Sequence, residues 1–472
     1  MQCCAKHSWA LFALGEKQRV SHDFWNVTYS AIVRSAIAKS FGGSKGCFYK
    51  NTPWPTELKK NQASATGRGG ESMLNTSSDM QNRHDSLHAL PPREEQEYLP
   101  AREHVDEPFT VLVLLLLAVG LICLFSASYT VAYYQQGGDS THFALRQALF
   151  AAAGVVVMFA ASKFNYHRLK AMALPIMGVT LVLLASRVFL PGVWVTIKGA
   201  TRWINLGFTT FQPSEIAKFA VIVFFAALCT NYGHKKMKTF KYGLLPFIVV
   251  IGMIAGLLYL QPHLSATIII FGIGIVIIFM GGANLMWIVG GGVAGVAAVA
   301  VYITTQSYAN KRILGWLDPF DPAVFKIEGW QGAQSLMAIG SGGLWGLGLG
   351  QSRQKHLYLP EPANDFIFPV ICEELGFVGA ALIIILFAVL ICRGYYIAFH
   401  AEDRFGTLLA AGITTQIAIQ VVLNLFVVTG MIPVTGVSLP FFSYGGTSLL
   451  MLLGEVGILL NVSRHMRMRE SV

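Results

Sequence analysis

Charge is what this sequence has least of. Only 13% of its 472 residues are Asp, Glu, Lys or Arg, against about 25% in an ordinary soluble chain. The seven cysteines (3, 4, 47, 123, 229, 372 and 392) lack metal-ligand spacing, and Cys3 and Cys4 are adjacent rather than C-x-x-C. That pattern gives neither a zinc site nor a disulfide framework. Cys123, Cys229, Cys372 and Cys392 lie in apolar runs and read as small packing residues. Near the start of the chain, no apolar run is followed by a small-residue cleavage site, so no signal peptide is expected. Gly346, Gly348 and Gly350 form G-x-G-x-G, but no soluble strand precedes them and no G-K-[ST] follows. This argues against nucleotide binding. Glycines here, with Gly342 and Gly343, let backbone pass close to a ligand or another helix.

What is abundant is oil. Hydrophobic residues make up 54% of the chain and the mean hydropathy is +0.54. Repeated apolar windows of about 20 residues describe an all-α, polytopic membrane protein. The runs are too long for the alternating strands of an outer-membrane barrel. The net charge of +10 does not imply nucleic acid, because much of it sits in short connectors between spans. Residues 1–107 are a different material. The part from 61 to 107 is polar and aperiodic, as expected of a disordered tail, and the true start is suspected at Met73 or Met80.

Ten spans are expected, at about 109–134, 144–162, 171–190, 213–231, 243–261, 264–282, 285–305, 366–392, 405–431 and 448–462. The fourth opens at Pro213, tolerated where its missing N–H costs little. Around Gly290, Gly291, Gly292 and Gly295 the seventh can approach a neighbour closely. The connectors 163–170, 232–242 and 393–404, and the end of the chain, are rich in Lys and Arg. With ten spans these all fall on the side of the N-terminus, which the positive-inside bias makes the cytoplasm. Segments 191–212 and 306–365 then lie outside, the second as a large extracytoplasmic loop, and 466–472 is a cytoplasmic tail. Both outer segments nevertheless carry cations (Lys198, Arg202, Lys311, Arg312, Lys326, Arg353, Lys355). Either long loops escape the bias or these residues bind an anion.

The candidate chemistry lies in 329–379, with Arg353 and Lys355 followed by Glu361, Asp365, Glu373 and Glu374. Asp365 stands at the mouth of an apolar run, where an ionisable group is costly and marks a functional site. It reads as a general base tuned by partial burial, or as a helix N-cap. Arg353 and Lys355 read as a pyrophosphate clamp, or as side chains snorkelling to headgroups; Arg202 has the same two readings. Glu215 and Lys218 share one helix face, as a structural ion pair or as support for a buried substrate channel. Glu373 and Glu374 fall two turns into the eighth span, where at least one must face protein or water. Residues 439–448, Leu-Pro-Phe-Phe-Ser-Tyr-Gly-Gly-Thr-Ser, suit an irregular re-entrant segment lining a cavity.

Five stretches together resemble the SEDS family of membrane peptidoglycan polymerases, which includes FtsW, RodA and SpoVE. They are GATRWINLG at 199–207, FQPSEIAKF at 211–219, SGGLWGLGLGQS at 341–352, LPEPANDFIFPVICEELG at 359–376 and LPFFSYGGTSLL at 439–450. The resemblance covers about 108–465 and implies the ten-helix SEDS fold. It also implies lipid II (undecaprenyl-pyrophosphate disaccharide-peptide) as substrate, and an inverting transglycosylation at the outer face of the cytoplasmic (inner) membrane. The family's essential Asp falls on Asp365, and its Gln-Pro-Ser-Glu and following Lys fall on Gln212 to Glu215 and Lys218. With the implied reaction, Arg353, Lys355, Arg202, Lys218, Glu215, Glu361 and Ser443 become candidate substrate-binding residues. A divalent cation, Mg2+ or Mn2+, is compatible with the same role, although the sequence holds no dedicated cage. Implied partners are a class B penicillin-binding transpeptidase and divisome or elongasome proteins. The long tail leans to the FtsW type and cell division. After the fifth span the family often reads Gln/Glu-Pro-Asp, and here His263 replaces the carboxylate. The rival reading is a lipid II flippase, which needs a sealed bilayer where a polymerase does not; a scaffold without chemistry leaves the clustered charges unexplained.

Overall fold

The computed structural model describes residues 104–466, apart from 198–199, 208, 306, 323–324 and 326–328. The expected disordered tail therefore lies almost wholly outside the described residues, as do both suspected start sites and all but the first residue of the C-terminal tail.

The chain forms α1 (Glu107–Gln135), α2 (His142–Lys163), α3 (His167–Phe189), β1 (Trp194–Ile197), β2 (Ala200–Asn205), β3 (Thr210–Phe211) and α4 (Pro213–Met237). After a helical turn at Phe240–Gly243 come α5 (Leu245–Tyr259), α6 (Leu264–Met280), α7 (Leu285–Thr305), α8 (Ser307–Leu317) and α9 (Trp330–Ser341). The last three are α10 (Ile367–Phe399), α11 (Arg404–Val428) and α12 (Gly446–Arg464). Among the described residues, eight helices, α5 taken with the turn before it, are long and apolar enough to cross a membrane, and Leu264–Met280 and Leu285–Ala297 are shorter apolar helices. Together they are the ten apolar segments read from the sequence. Helix α12 packs on α2, α10 on α1 and α11, and α4 on α3, α6 and α11.

Two segments expected as loops are built structure. The 191–212 connector folds as an antiparallel sheet in the order β1-β2-β3, with Val195 opposite Trp203 and Ile204 opposite Phe211. The 306–365 connector contains α8 and α9, and α9 packs on α10 and α11.

Helix α1 starts on Asp106, whose carboxylate accepts from Phe109 N at 3.0 Å, with Pro108 in the first turn. Asp106 also takes a two-pronged bond from Arg393 at the far end of α10, at 3.1 and 2.7 Å. Twenty residues further along α1, Ser126 Oγ donates to the Glu374 carboxylate at 2.7 Å. These antiparallel helices are thus tied at two levels.

Helix α10 is broken at Gly376 (φ 68, ψ −170), and the glycine-rich stretch before it repairs the break. Leu347 N and Gly348 N donate to the carbonyls of Glu373 and Glu374 at 2.9 and 3.0 Å. On the other side, Phe377 N and Val378 N donate to the carbonyls of Gly343 and Leu344 at 2.9 and 3.2 Å. A Cβ on Gly346 would stand 2.1 Å from Glu374 O. The glycines therefore serve backbone-to-backbone packing.

Candidate functional site

At the end of the bundle that carries the sheet, a cavity of about 820 Å3 opens between β2, the starts of α4, α6 and α12, the 360–365 turn and the 435–445 segment. Of the site residues expected from sequence, Asp365, Glu361, Arg202, Glu215, Lys218 and Ser443 all line it.

Asp365 is half-buried. Helix α10 begins at Ile367 with Phe366 as its N-cap residue and no side-chain cap, so Asp365 is not the cap that its position before an apolar run allowed. Its backbone is fixed instead. The buried Asn424 donates Nδ2 to the Asp365 carbonyl at 2.8 Å and to the Val437 carbonyl at 2.7 Å. Opposite, Gly436 adopts φ +70, and a Cβ there would lie 3.3 Å from Asp365 Oδ2.

The turn before Asp365 is held from within. Glu361 has left-handed backbone (φ 56), uncommon outside glycine, and its carboxylate accepts from Asn364 Nδ2 at 2.5 Å. Ser443 Oγ donates to the Asn364 carbonyl at 2.6 Å and accepts from Leu439 N at 2.7 Å. Tyr444 N donates to the Ala363 carbonyl at 2.8 Å. Gln147 on α2 closes the ring, donating to Ser443 O at 3.3 Å and accepting from Gly445 N at 3.1 Å. Ser443 therefore ties two loops together at the cavity wall. Phe441, next to this knot, is also left-handed (φ 67). Non-glycine residues in that region concentrate where surrounding structure over-determines the backbone, as functional sites do.

The opposite wall is cationic. Lys218 is buried and pairs with Glu215 at 2.9 Å. Beneath them, Gln416 Nε2 donates to the buried Glu455 carboxylate at 2.6 Å. Arg202 donates to the Pro262 carbonyl. His263 is buried 3.4 Å from Gln212 Nε2. Burial, then Arg202 and then Lys218, holds its pKa well below the usual 6.5, so it is neutral at pH 7. Arg146 and Arg312 also line the cavity. Arg312 Nη1 donates to Val434 O at 2.6 Å, fixing the extended segment that Asn424 holds at Val437. Burial, opposed by Arg146, raises the pKa of Tyr444.

Arg353 and Lys355, expected as a pyrophosphate clamp, are not among the residues that line the cavity with Asp365. Lys355 is buried and binds Glu374 at 2.8 Å and Ser126 Oγ at 3.1 Å. Arg353 is exposed, and its backbone N donates to Glu373 at 3.1 Å. Glu373 also accepts from Ser352 Oγ at 2.5 Å and Gln354 N at 3.2 Å. The two glutamates in the span thus face protein and hold the 352–355 turn. Sequence reasoning missed Arg146, Gln147, Gln416, Asn424 and Glu455. A polar residue inside an apolar helix is the signal each offered.

The family model described as "Cell cycle protein", that of FtsW, RodA and SpoVE, matches residues 107–468. The chain belongs to this SEDS family. Stage V sporulation protein E of Bacillus subtilis (strain 168) is 43% identical to it over 362 residues, covering 77% of this chain and 98% of that protein. A probable peptidoglycan glycosyltransferase FtsW of Trichlorobacter lovleyi is 40% identical, covering 78% of this chain and 97% of that protein. Among solved structures, a chain from a peptidoglycan synthase complex that coordinates polymerization and crosslinking is 28% identical. It covers 76% of this chain and 98% of that one, with a TM-score of 0.62. The rod shape determining protein RodA of Thermus thermophilus is 27% identical, covering 77% and 98%, with a TM-score of 0.56. A multi-pass membrane protein of the SEDS fold is thus established, with a cavity at one end of its bundle.

Proposed function

We propose that this SEDS protein is a peptidoglycan glycosyltransferase that polymerises lipid II, and that it does so through Asp365. The observation that carries the reading is one cavity, at one end of a membrane bundle, whose lining joins Asp365, its backbone held by Asn424, with four cations: Arg146, Arg202, Lys218 and Arg312. A sugar hydroxyl attacking an anomeric carbon needs a base, and a departing pyrophosphate needs preorganised positive charge. Asp365 accepts the proton of the acceptor GlcNAc 4-hydroxyl. That oxygen forms the new bond to C1 of the donor muramyl residue as the C1–O bond to pyrophosphate breaks, which inverts the anomeric centre. Arg202 and Lys218, with Arg146 and Arg312, stabilise the charge on the leaving group. Glu361 and Ser443 hold the turn that aims Asp365.

The Lys- and Arg-rich connectors lie at the other end of the bundle, so the positive-inside bias puts both termini in the cytoplasm and the cavity outside the cytoplasmic membrane. Among the described residues, no group of three or more His, Cys, Asp or Glu is placed to hold a metal. A divalent cation, Mg2+ or Mn2+, would have to arrive with the pyrophosphate, and no step above runs through it. A class B penicillin-binding transpeptidase is the proposed partner and cell division the proposed setting.

The test is polymerisation of purified lipid II by the detergent-solubilised protein, where flipping is impossible. Wild type is expected to make glycan strands, and Asp365→Asn to fold and purify normally without making them. Undiminished synthesis by Asp365→Asn removes the base assignment; no synthesis by wild type, alone or with its transpeptidase, favours a flippase.

A further inference from the structure

The Gly342–Gly350 stretch exposes Leu344, Trp345, Leu347 and Leu349, with Trp345 at 80%. It contains no charged residue, and four backbone hydrogen bonds pin it against α10 at Gly376. In water such a knuckle is costly to leave uncovered.

The structure gives its height. Helices α1 and α10 run antiparallel and touch at two levels: the Asp106–Arg393 pair below, and the Ser126–Glu374–Lys355 cluster above. Twenty residues of α1, from Asp106 to Ser126, rise about 30 Å at 1.5 Å each. Along α10, Arg393 to Phe377, below the break at Gly376, gives about 24 Å on the same ruler, with Glu374 just beyond the break. Two independent helices thus set the ion-paired levels about one hydrocarbon thickness apart. The knuckle is pinned at the upper level. Directly below, α10 becomes an apolar surface with Phe377, Val378, Leu382 and Ile385 exposed, and the knuckle continues that face. Trp at such a boundary has an apolar ring for the acyl chains and an indole N–H for the wet side.

We propose that residues 344–349 are an interfacial anchor, seated at the boundary between acyl chains and headgroups in the leaflet on the cavity side. The occupant is the phospholipid surface. From Glu374 to Ile367, α10 continues about 10 Å above this level, so the anchor holds the Asp365 turn among the headgroups and above the hydrocarbon. There the sugar of a membrane-bound substrate is wet while its prenyl chain stays in oil.

The test uses the full chain in phosphatidylglycerol liposomes, and its fluorescence arm is independent of the proposed reaction. The emission lost in Trp345→Phe isolates this residue from the other eight tryptophans. That component is expected to be quenched most by phospholipids brominated near the carbonyl end of the chain, less by those brominated near the methyl end, and weakly by aqueous acrylamide. Strong acrylamide quenching with no bromolipid effect overturns the proposal. So does burial that appears only when a transpeptidase is added, which would make the surface a protein interface. In a second arm, Trp345→Ser with Leu344→Ser is expected to slow lipid II polymerisation several-fold in liposomes while leaving a short-chain lipid II reaction in micelles unchanged. Equal loss in both media means a structural role and overturns the proposal. Absence of polymerisation by wild type would fail the glycosyltransferase reading and leave the quenching result standing.

Discussion

Asn424 holds the backbone of Asp365: its side-chain amide donates to the Asp365 carbonyl at 2.8 Å while donating to Val437 at 2.7 Å. One buried side chain on α11 therefore sets the separation between the carboxylate-bearing turn and the wall facing it. Asn424→Ala orphans two carbonyls, and the expected loss of stability is about 1–3 kcal/mol. The kinetic signature is specific. Misplacing a base affects the transition state more than substrate binding, so kcat is expected to fall at least tenfold with KM for lipid II nearly unchanged. Steady-state polymerisation in detergent checks this, and a wild-type kcat would show that Asp365 is positioned by other means.

Lys355 and Arg353 are expected to part company. Lys355→Met leaves Glu374 buried without its cation, a change of the kind that costs about 3–5 kcal/mol. Thermal unfolding should show a large drop, partly recovered in Lys355→Met with Glu374→Gln. Arg353→Ala removes an exposed side chain and should change stability by about 0.5 kcal/mol or less, with polymerisation retained. If Arg353→Ala abolished polymerisation at unchanged stability, the clamp read from sequence would be reinstated.

His263 imposes a pH dependence of definite sign. Its folded-state pKa lies below 6.5, chiefly through burial and then through Arg202 and Lys218. As pH falls through 6.5, the unfolded chain gains a proton there that the folded chain does not. Stability contributed by the neutral ring is therefore full above 6.5 and declines below it, by up to about 1.4 kcal/mol per pH unit. Melting temperatures of His263→Gln between pH 7 and pH 5 should fall less steeply than those of wild type. Parallel curves would show that His263 does not carry the acid sensitivity.

The ten apolar helices were legible because the bilayer fixes both their length and their lack of charge. Helix α7 occupies the very residues read for it, α12 extends its expected span by two residues at each end, and α1 extends its own by two at the start and one at the end. The sheet at 194–211 was not legible: its strands are short, and their alternation is hidden beside long apolar runs. The candidate site divided along the same line. Asp365, Arg202, Glu215 and Lys218 could be found because a charge beside or inside a span is conspicuous. Lys355 was misread because closeness in sequence to Asp365 says nothing of direction, and a turn starting at Ser352 sends it toward Ser126 and Glu374. Arg146 and Asn424 offered only the weaker signal of a polar residue within an apolar run, and it is the tertiary packing of α2 and α11 that brings Arg146 to the cavity and Asn424 to the Asp365 backbone.

The break at Gly376 bears on how far this protein can be trimmed. Residues 343–348 complete the backbone hydrogen bonding of α10 beside the hydrocarbon, where water cannot substitute. A shortened connector that joined α9 directly to the 352–366 turn would strand two carbonyls and two N–H groups of the helix. The glycine-rich stretch is thus a fixed inventory of donors and acceptors, and any minimal version of the domain has to carry it whole.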